Sequence, residues 1–311
     1  MIFFALSRII RSLITIVLIV TLAFVILRMT GDPSIIILGP EAPPQAYEAF
    51  RRNWGLDQPL IVQYFKYFWA ILQGDLGRSM RDGSSALDVV MSRVPLTLSL
   101  TLPALAMNLI LGLSAGIFAA LNRNTWIDRA IMAVSVIGFT VPSFVMGLVL
   151  ALVFAVKLKV LPSGGSETWA HAVLPVVTLG IIGAAVIARF TRSAMLEVLG
   201  QPYIRTASGK GLSWPAVVLL HALPNAAIPT LTIIGFMVGS LVAGAIVVES
   251  IFSWPGVGRL LVQAVASRDL AVVQTILLLI GFTMVAANLI VDLAYGWVDP
   301  RLRAARSLPT K

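Results

Sequence analysis

The sequence has 311 residues, of which 58% are hydrophobic and 12% are charged, with a formal net charge of +9. So large an apolar share excludes an ordinary soluble domain and indicates a chain whose lipid-facing surface is apolar as well. The absence of cysteine excludes disulfides, thiolate metal sites and cysteine nucleophiles. We interpret the basic excess as charges that face membrane lipid, not as a nucleic-acid-binding surface.

Six apolar stretches are long enough, at roughly 20 residues, to cross a bilayer as helices. The predicted spans are Ile9–Leu27, Leu96–Leu121, Ile131–Val156, Val173–Arg189, Ile228–Val248 and Val272–Trp297. The first lacks a small-residue cleavage site near its end, which favours an uncleaved signal anchor. Lysine and arginine in the short loops favour an orientation with both termini in the cytoplasm. The sequence therefore predicts an all-α membrane protein with six transmembrane helices.

These spans divide the chain into three parts. They are an N-terminal cytoplasmic tail and first helix (1–28), a small extracytoplasmic subdomain between spans 1 and 2 (29–95), and a five-helix core (96–311) with a cytoplasmic loop (195–225) and an outer loop (249–271). Within the subdomain, Tyr64, Tyr67 and Phe68 recur at helical spacing. We expect these aromatic side chains to pack on the membrane face, in preference to binding a ligand.

The most informative segment is the polar, glycine-punctuated stretch from Tyr203 to Pro224. A short helical stretch is predicted before the glycines at 209 and 211, and a second helix is predicted to begin after Ser213 as its N-cap. A helix–glycine–helix element at the membrane surface is suited to docking into a partner protein. The predicted docking face contains Tyr203, Ile204 and Ala207 as apolar contacts and Arg205 as a polar contact. The alternative is that this loop only lies on the lipid headgroups.

Motifs for chemistry are not found in this sequence. The two histidines, His171 and His221, are far apart, so no HExxH or similar metal motif exists. The pair Gly209-Lys210 lacks the first glycine and the Ser or Thr of a phosphate-binding loop, so we do not expect the chain to bind ATP by itself. An ion-coupled secondary transporter is the alternative function, with Asp292 and Glu249 near span ends as its candidate carboxylates.

Two pairs of glycines have the small-xxx-small spacing that allows helices to approach closely. They are Gly112 with Gly116 and Gly235 with Gly239. Packing within the chain and a seam against a second subunit would both use this spacing. The sequence leaves both alternatives open.

The 203–224 loop resembles the EAA motif of bacterial ABC importer permeases. Arg205-Thr206-Ala207 fall on the E-A-A positions, Gly211 falls on the glycine, and Leu223-Pro224 fall on the closing L-P. Arg in place of the first Glu, and His221 in place of Ile, are similar to the dipeptide/oligopeptide/nickel branch of this family. The motif therefore places the resemblance in that branch.

Other segments carry the same resemblance along almost the whole chain. The outer loop is similar to that branch's VExxFxWPGxGxL…RD pattern through Glu249, Phe252, Trp254, Pro255, Gly256, Gly258, Arg268 and Asp269. Further matches are Gly31–Pro33, Gly55–Leu60, Gly74–Gly77, Asn288–Asp292 and Asp299–Arg301. The stretches Val186–Ala194 and Gly39–Ala42 are similar to glutathione-type members. The outer loop either supports the fold alone or also meets a binding protein, and we expect Arg268 and Asp269 to pair locally and fix it.

The resemblance implies the type I ABC importer permease fold and a mechanism. The chain would form the translocation path with a second, homologous permease in the bacterial inner membrane, for di- or oligopeptides or similar small solutes. Two ABC ATPase subunits would supply ATP and Mg²⁺, with no cofactor in this chain. A periplasmic or lipid-anchored binding protein would deliver the substrate. The residues implied in ATPase coupling are Tyr203, Ile204, Arg205, Thr206, Ala207, Gly211, Leu212, Leu223 and Pro224.

Overall fold

A computed structural model describes the backbone of residues 2–29, 31–243 and 245–298, and within these ranges all elements longer than a single bridge are helical. The Asp299–Arg301 motif lies outside the described residues. The helices of the first half are α1 (Ile2–Met29), α2 (Pro33–Leu38), α3 (Pro44–Asn53), α4 (Leu60–Leu72), α5 (Ala86–Met91), α6 (Val94–Leu121), α7 (Trp126–Thr140) and α8 (Ser143–Leu150). The helices that follow are α9 (Ala170–Leu199), α10 (Pro202–Gly209), α11 (Trp214–Val217), α12 (Leu223–Gly239), α13 (Ile246–Ile251), α14 (Val257–Ala266) and α15 (Leu270–Val298).

Five helical stretches are long and apolar enough to cross a membrane. They are Ile9–Met29, Ala86–Leu121, Ala170–Leu199, Trp214–Gly239 and Leu270–Ile290. A bent pair, Trp126–Thr140 with Ser143–Lys157, makes a sixth if it is counted as one span. The predicted all-α membrane fold is confirmed.

The third predicted span is not a continuous helix, and this corrects the expectation for Ile131–Val156. The two halves meet at a bend of 102°. Val141 adopts an extended conformation (φ −72°, ψ 121°) immediately before Pro142. Proline disfavours the helical conformation of the residue before it and donates no N–H, so helix α7 ends there and helix α8 begins after it.

The predicted boundaries of the fourth and fifth spans are also corrected. Helix α9 continues past Arg189 to Leu199, and the fifth span is Trp214–Gly239, not Ile228–Val248. A π-helical segment at Val218–Ala222 joins α11 to α12, and Pro224 occupies the first turn of α12. The cytoplasmic loop is thus shorter than the predicted 195–225. Proline is tolerated in the first turn of α12, and the wider π-turn joins that turn to α11 without a break in the helix.

The chain divides into two compact units. Among the described residues, the first contains those of 1–98 and 242–285, and the second contains those of 99–241 and 286–298. A buried cluster in the first unit joins α1, α5, α14 and α15 through side chains that include Leu27, Val90, Val257 and Ile276. This cluster fixes the residues of the outer loop on the subdomain that precedes α6.

The aromatic side chains of α4 pack on α1. The ring of Phe24 lies 5.4 Å from that of Tyr64 and 5.9 Å from that of Tyr67. The hydroxyls of Thr21 and Tyr64 share a hydrogen bond of 2.8 Å. These residues therefore attach the subdomain to the first span.

The first small-xxx-small pair serves packing inside the second unit. A Cβ at Gly112 would lie 2.6 Å from Cβ of Ile187, and one at Gly116 would lie 2.6 Å from the carbonyl oxygen of Ala188. Both neighbours belong to α9, so the glycines let α6 approach the backbone of α9. Gly235 and Gly239 are buried as well.

Candidate coupling loop and outer cap

The loop between α9 and α11 contains a short helix that packs on its own subunit. Helix α10 begins with Pro202 and ends at Gly209. Ile204 is 3% exposed and Ala207 is 7% exposed. They join a cluster with Ala120, Ala194, Met195, Val217, Val218, Ala222 and Ala226. Helix α10 is therefore attached to the ends of α6 and α9 and to the start of the fifth span.

This packing corrects the predicted docking face. Ile204 and Ala207 face the interior of the chain and offer no surface to a partner. Among the predicted coupling residues of α10, Tyr203, Arg205 and Thr206 are exposed. Tyr203 is thus the single apolar residue of the predicted face that remains available for docking. The periodicity that indicated a docking face is instead the periodicity of a helix packed on its own subunit.

The glycine break has a definite backbone requirement. The N–H of Gly211 donates to the carbonyl of Ser208 at 3.0 Å, and Gly211 has a φ of +84°. This left-handed conformation is one that L-residues with a Cβ adopt only with strain. No atom lies within 4 Å of a Cβ built on Gly211. The conformation, not crowding, therefore requires glycine at this position.

The chain becomes helical again after the turn. Ser213 stands at the N-cap position of α11 as predicted, but its side chain makes no capping hydrogen bond. Leu223 packs against the same buried cluster as Ile204, whereas Pro224 is exposed.

Leu212 is 40% exposed and Trp214 is 53% exposed. Trp214 extends the exposed surface of this loop, and the motif-based prediction missed it because the EAA pattern does not include that position.

In the first unit, the buried carboxylate of Glu249 caps the N-terminus of α14. Its Oε2 accepts the backbone N–H of Arg259 at 3.0 Å, and its Oε1 accepts the hydroxyl of Thr97 at 2.7 Å. That hydroxyl accepts the N–H of Val257 at 2.8 Å. These contacts satisfy N–H groups that have no partner within the helix. Burial raises the pKa of Glu249 above its ordinary value, although hydrogen bonds from Thr97 and from the backbone of Arg259 and Gly258 oppose this rise.

Two glycines make room for this carboxylate and for the backbone beside it. A Cβ at Gly256 would lie 2.3 Å from Oε1 of Glu249. A Cβ at Gly258 would lie 2.4 Å from Cα of Ile246. The Pro-Gly-x-Gly part of the motif therefore allows α13 and α14 to approach each other closely.

The aromatic residues of the outer loop are interior residues of the first unit. Phe252 is 1% exposed and Trp254 is 5% exposed. Nε1 of Trp254 donates to the carbonyl of Leu96 at 2.9 Å, and Nη1 of Arg93 donates to the carbonyl of Pro255 at 3.3 Å. The aromatic core of this loop thus folds the first unit, and we refer to residues 249–269 as the outer cap.

Arg268 and Asp269 contact different segments, which corrects the expected local pair. Nη1 of Arg268 donates to the carbonyl of Asp32 at 3.1 Å. Asp269 is 3% exposed and accepts the hydroxyl of Ser79 at 2.5 Å and the N–H of Met80 at 3.2 Å. The two residues therefore attach the outer cap to both ends of the subdomain.

Comparison with known proteins agrees with this architecture. The family model described as binding-protein-dependent transport system inner membrane component matches residues 112–304, and the model of its N-terminal part matches residues 1–101. The glutathione transport system permease protein GsiC of Escherichia coli O6:H1 is 43% identical over 301 residues, covering 96% of this chain and 98% of that protein. The protein of the same name from Shigella dysenteriae serotype 1 is 42% identical over the same coverage.

The chain belongs to this family of transport system components. It is a permease subunit of an ABC importer. The outer cap and the loop around α10 are thus parts of a transport protein, and the ion-coupled carrier is not favoured.

Solved structures show the same fold for the permease. An inward-facing structure of the MetNI methionine ABC transporter aligns with a TM-score of 0.58 at 20% identity, covering 68% of the permease and 97% of that chain. An amino acid ABC transporter crystallised with histidines aligns with a TM-score of 0.51 at 19% identity, covering 67% of the permease and 92% of that chain. At this identity the likeness is one of fold.

Proposed function

We propose that the permease forms the path for glutathione or short peptides together with a second, homologous permease in the bacterial inner membrane. The relatives named as glutathione transport system permeases support this substrate class, since they align over 96% of the chain. An extracytoplasmic binding protein, soluble or lipid-anchored, supplies the substrate. Both termini lie in the cytoplasm.

The energy enters through the loop around α10. Two ATPase subunits bind ATP and Mg²⁺ and receive the exposed face of α10, whereas this chain binds neither. The observation that carries the proposal is that α10 has one face buried in the subunit and the other exposed. Ile204 and Ala207 lie in a cluster with residues from three spans, while Tyr203 and Arg205 are exposed. A push on the exposed face would therefore move the span ends together with α10, because close-packed interiors transmit displacement.

The test uses the assembled transporter. The permease, its second permease and the two ATPases are purified together and reconstituted, and ATP-driven uptake of radiolabelled glutathione and of alanyl-alanine is measured with the binding protein present. Arg205→Glu should reduce uptake at least tenfold and weaken ATPase copurification, while the permease remains in the membrane. The matched control is Arg81→Glu, a charge reversal at an exposed residue of the first unit, which should leave both unchanged.

Two results would contradict the proposal. Normal uptake by Arg205→Glu would remove this face from the coupling. Uptake by the permease driven by a proton or sodium gradient without ATP would replace the importer mechanism by an ion-coupled one. Glu249 would then be examined first, together with Asp292, whose side chain lies outside the described residues.

A further inference from the structure

The first unit contains a charged cavity of about 530 Å³ between the ends of α1, α2, α3 and α4. This size falls in the range of small-molecule sites. Its lining includes Arg28, Asp32, Arg51, Arg52, Asp57 and Gln63. Both signs of charge are therefore present in one cavity on the subdomain that we place outside the membrane.

Gln63 contributes a buried acceptor that has no partner. The residue is 8% exposed, and its Nε2 donates to the carbonyls of Gln58 at 2.7 Å and of Leu56 at 3.3 Å. Because both partners are carbonyl oxygens, the amide nitrogen faces them and the oxygen is left as an acceptor. Within the described part of the chain, Oε1 of Gln63 is buried without a hydrogen bond.

Arg28 contributes a donor of the same kind to the same cavity. Its guanidinium lies over the ring of Phe24, 5.4 Å from the centroid. Its Nε is buried and has no hydrogen-bond partner among the described residues. A buried polar atom without a partner is costly, and so a native structure usually supplies a partner or leaves the group for a ligand.

The remaining charges of the cavity fall into two sets. Arg51 is engaged with Asp32, since its Nε lies 2.5 Å from Oδ2 of Asp32. Glu48 also lines the cavity, and among the residues that the structure describes, Arg52, Glu48 and Asp57 form no ion pair. One cation and two carboxylates therefore remain beside the donor of Arg28 and the acceptor of Gln63.

We propose that this cavity binds the zwitterionic end groups of an amino acid or short peptide. The carboxylate binds to Arg28 and Arg52, and the ammonium binds to Asp57 and to Oε1 of Gln63. A simple anion would leave the acceptor and Asp57 unmatched, and a simple cation would leave both arginines unmatched. A ligand that carries both charges satisfies all four groups.

This inference rests on the proposed function and deepens it. The cavity would hold the substrate on the outer side before the substrate enters the path. It would recognise charged end groups that many short peptides share, and it would therefore accept different side chains. Selection among these substrates would belong to the binding protein.

The test measures binding apart from transport. The wild-type assembly is placed in nanodiscs of phosphatidylcholine without ATP or binding protein, and binding of radiolabelled alanyl-alanine is measured by equilibrium dialysis. The C-terminally amidated and the N-acetylated peptides are compared with it. Each modification removes one charge, and each should weaken binding about tenfold or more.

Variants assign each end group to its residues. In Arg28→Met the loss of affinity on amidation should be smaller than in the wild type, because the carboxylate has already lost one of its two partners. Asp57→Asn should reduce the loss of affinity on N-acetylation in the same way. Arg52→Gln repeats the carboxylate test at an exposed residue, in case Arg28→Met fails to fold. The matched controls Arg81→Gln and Asp88→Asn remove exposed charges of the same unit and should bind as the wild type does.

Three results would overturn the inference. They are the absence of saturable binding at millimolar alanyl-alanine, equal binding of all three peptides, and loss of binding when phosphatidylethanolamine replaces phosphatidylcholine. The last result would assign the cavity to a lipid headgroup. If ATP-driven uptake is normal when the same purified assembly is reconstituted in vesicles with ATP and the binding protein, any of these results would reject the cavity while the proposed function stands. Loss of uptake in the wild type would reject the proposed function itself.

Discussion

Arg192 holds Asp128 at two points, with Nε 2.5 Å from Oδ1 and Nη2 2.7 Å from Oδ2. Asp128 is 3% exposed and also accepts the N–H of Asn124 at 3.0 Å. The pair links the first turn of α7 to α9, seven residues before α9 ends at Leu199. It therefore fixes two helices of the second unit close to the loop that contains α10.

Removing one member of this pair should destabilise the second unit. Asp128→Asn loses the charge of a carboxylate that accepts several hydrogen bonds, and we expect a loss of about 2–3 kcal/mol in the free energy of unfolding. The measurement is the thermal unfolding of the permease in detergent. Glu197→Gln, at an exposed carboxylate of the same helix, is the matched control and should unfold as the wild type does. Equal midpoints for both variants would show that the pair contributes nothing measurable.

Gly211→Ala should impair the turn that follows α10. At a φ of +84° an alanine is strained by about 1–2 kcal/mol, and we expect lower uptake without loss of membrane insertion. Gly209→Ala is the matched control, because Gly209 is helical and a Cβ there meets no atom within 4 Å. Alanine should be neutral or slightly stabilising at that helical position. If the two variants transport equally well, the left-handed turn is not required.

The sequence could predict where the loop around α10 turns and where its second helix begins. A turn at Gly211 and a new helix after Ser213 are visible in the residues, because glycine and the N-cap position have local conformational requirements. The direction in which Ile204 and Ala207 face is not visible, because docking on a partner and packing on the same subunit give the same apolar spacing. Tertiary contacts alone distinguish the two, and they place both side chains inside.

Helix boundaries show the same limit. Hydropathy located the apolar stretches, but helix α9 continues beyond Arg189 to Leu199, and Arg192 in this extension has a partner in Asp128 that hydropathy does not show. The outer cap illustrates a different limit. Its glycines indicate a folded loop, yet the need for glycine at position 256 arises from Glu249. Oε1 of Glu249 would lie 2.3 Å from a Cβ added at Gly256. A single sequence does not show which distant side chain a glycine makes room for.

Glu249 should make the stability of the first unit depend on pH. Because burial raises the pKa of Glu249, the folded state binds a proton more tightly than the unfolded state does. The stabilisation is complete below the unfolded pKa of about 4.3 and is lost as pH rises through the raised folded pKa, by at most about 1.4 kcal/mol per pH unit. Glu249→Gln should reduce this dependence in thermal unfolding measured from pH 5 to 8.

The matched control for that series is Glu41→Gln, at an exposed carboxyl group of the same unit. It should retain the wild-type dependence. A Glu249→Gln variant whose unfolding midpoint still falls with rising pH as steeply as that of the wild type would show that another group titrates.

Gly258→Ala should disrupt the outer cap. The added Cβ would lie 2.4 Å from Cα of Ile246, which is backbone and cannot rotate away. We expect a loss of about 1–3 kcal/mol, as for other overpacked sites. Gly200→Ala is the matched control, since a Cβ there lies no closer than 3.5 Å to a neighbouring atom. The measurement is the yield of monodisperse permease after mild heating, and equal yields would indicate that α13 and α14 can separate without cost.

The central claim, that the exposed face of α10 contacts an ATPase, is tested most directly by photo-crosslinking. Because the chain has no cysteine, single variants can carry a benzophenone label without further changes. The purified permease is labelled before assembly at Thr206→Cys on α10 and, as the matched control, at Ser253→Cys on the exposed part of the outer cap. We predict light-dependent crosslinks to an ATPase subunit from position 206 and none from position 253. Crosslinks to lipid alone from position 206, in an assembly that still transports with ATP, would contradict the account.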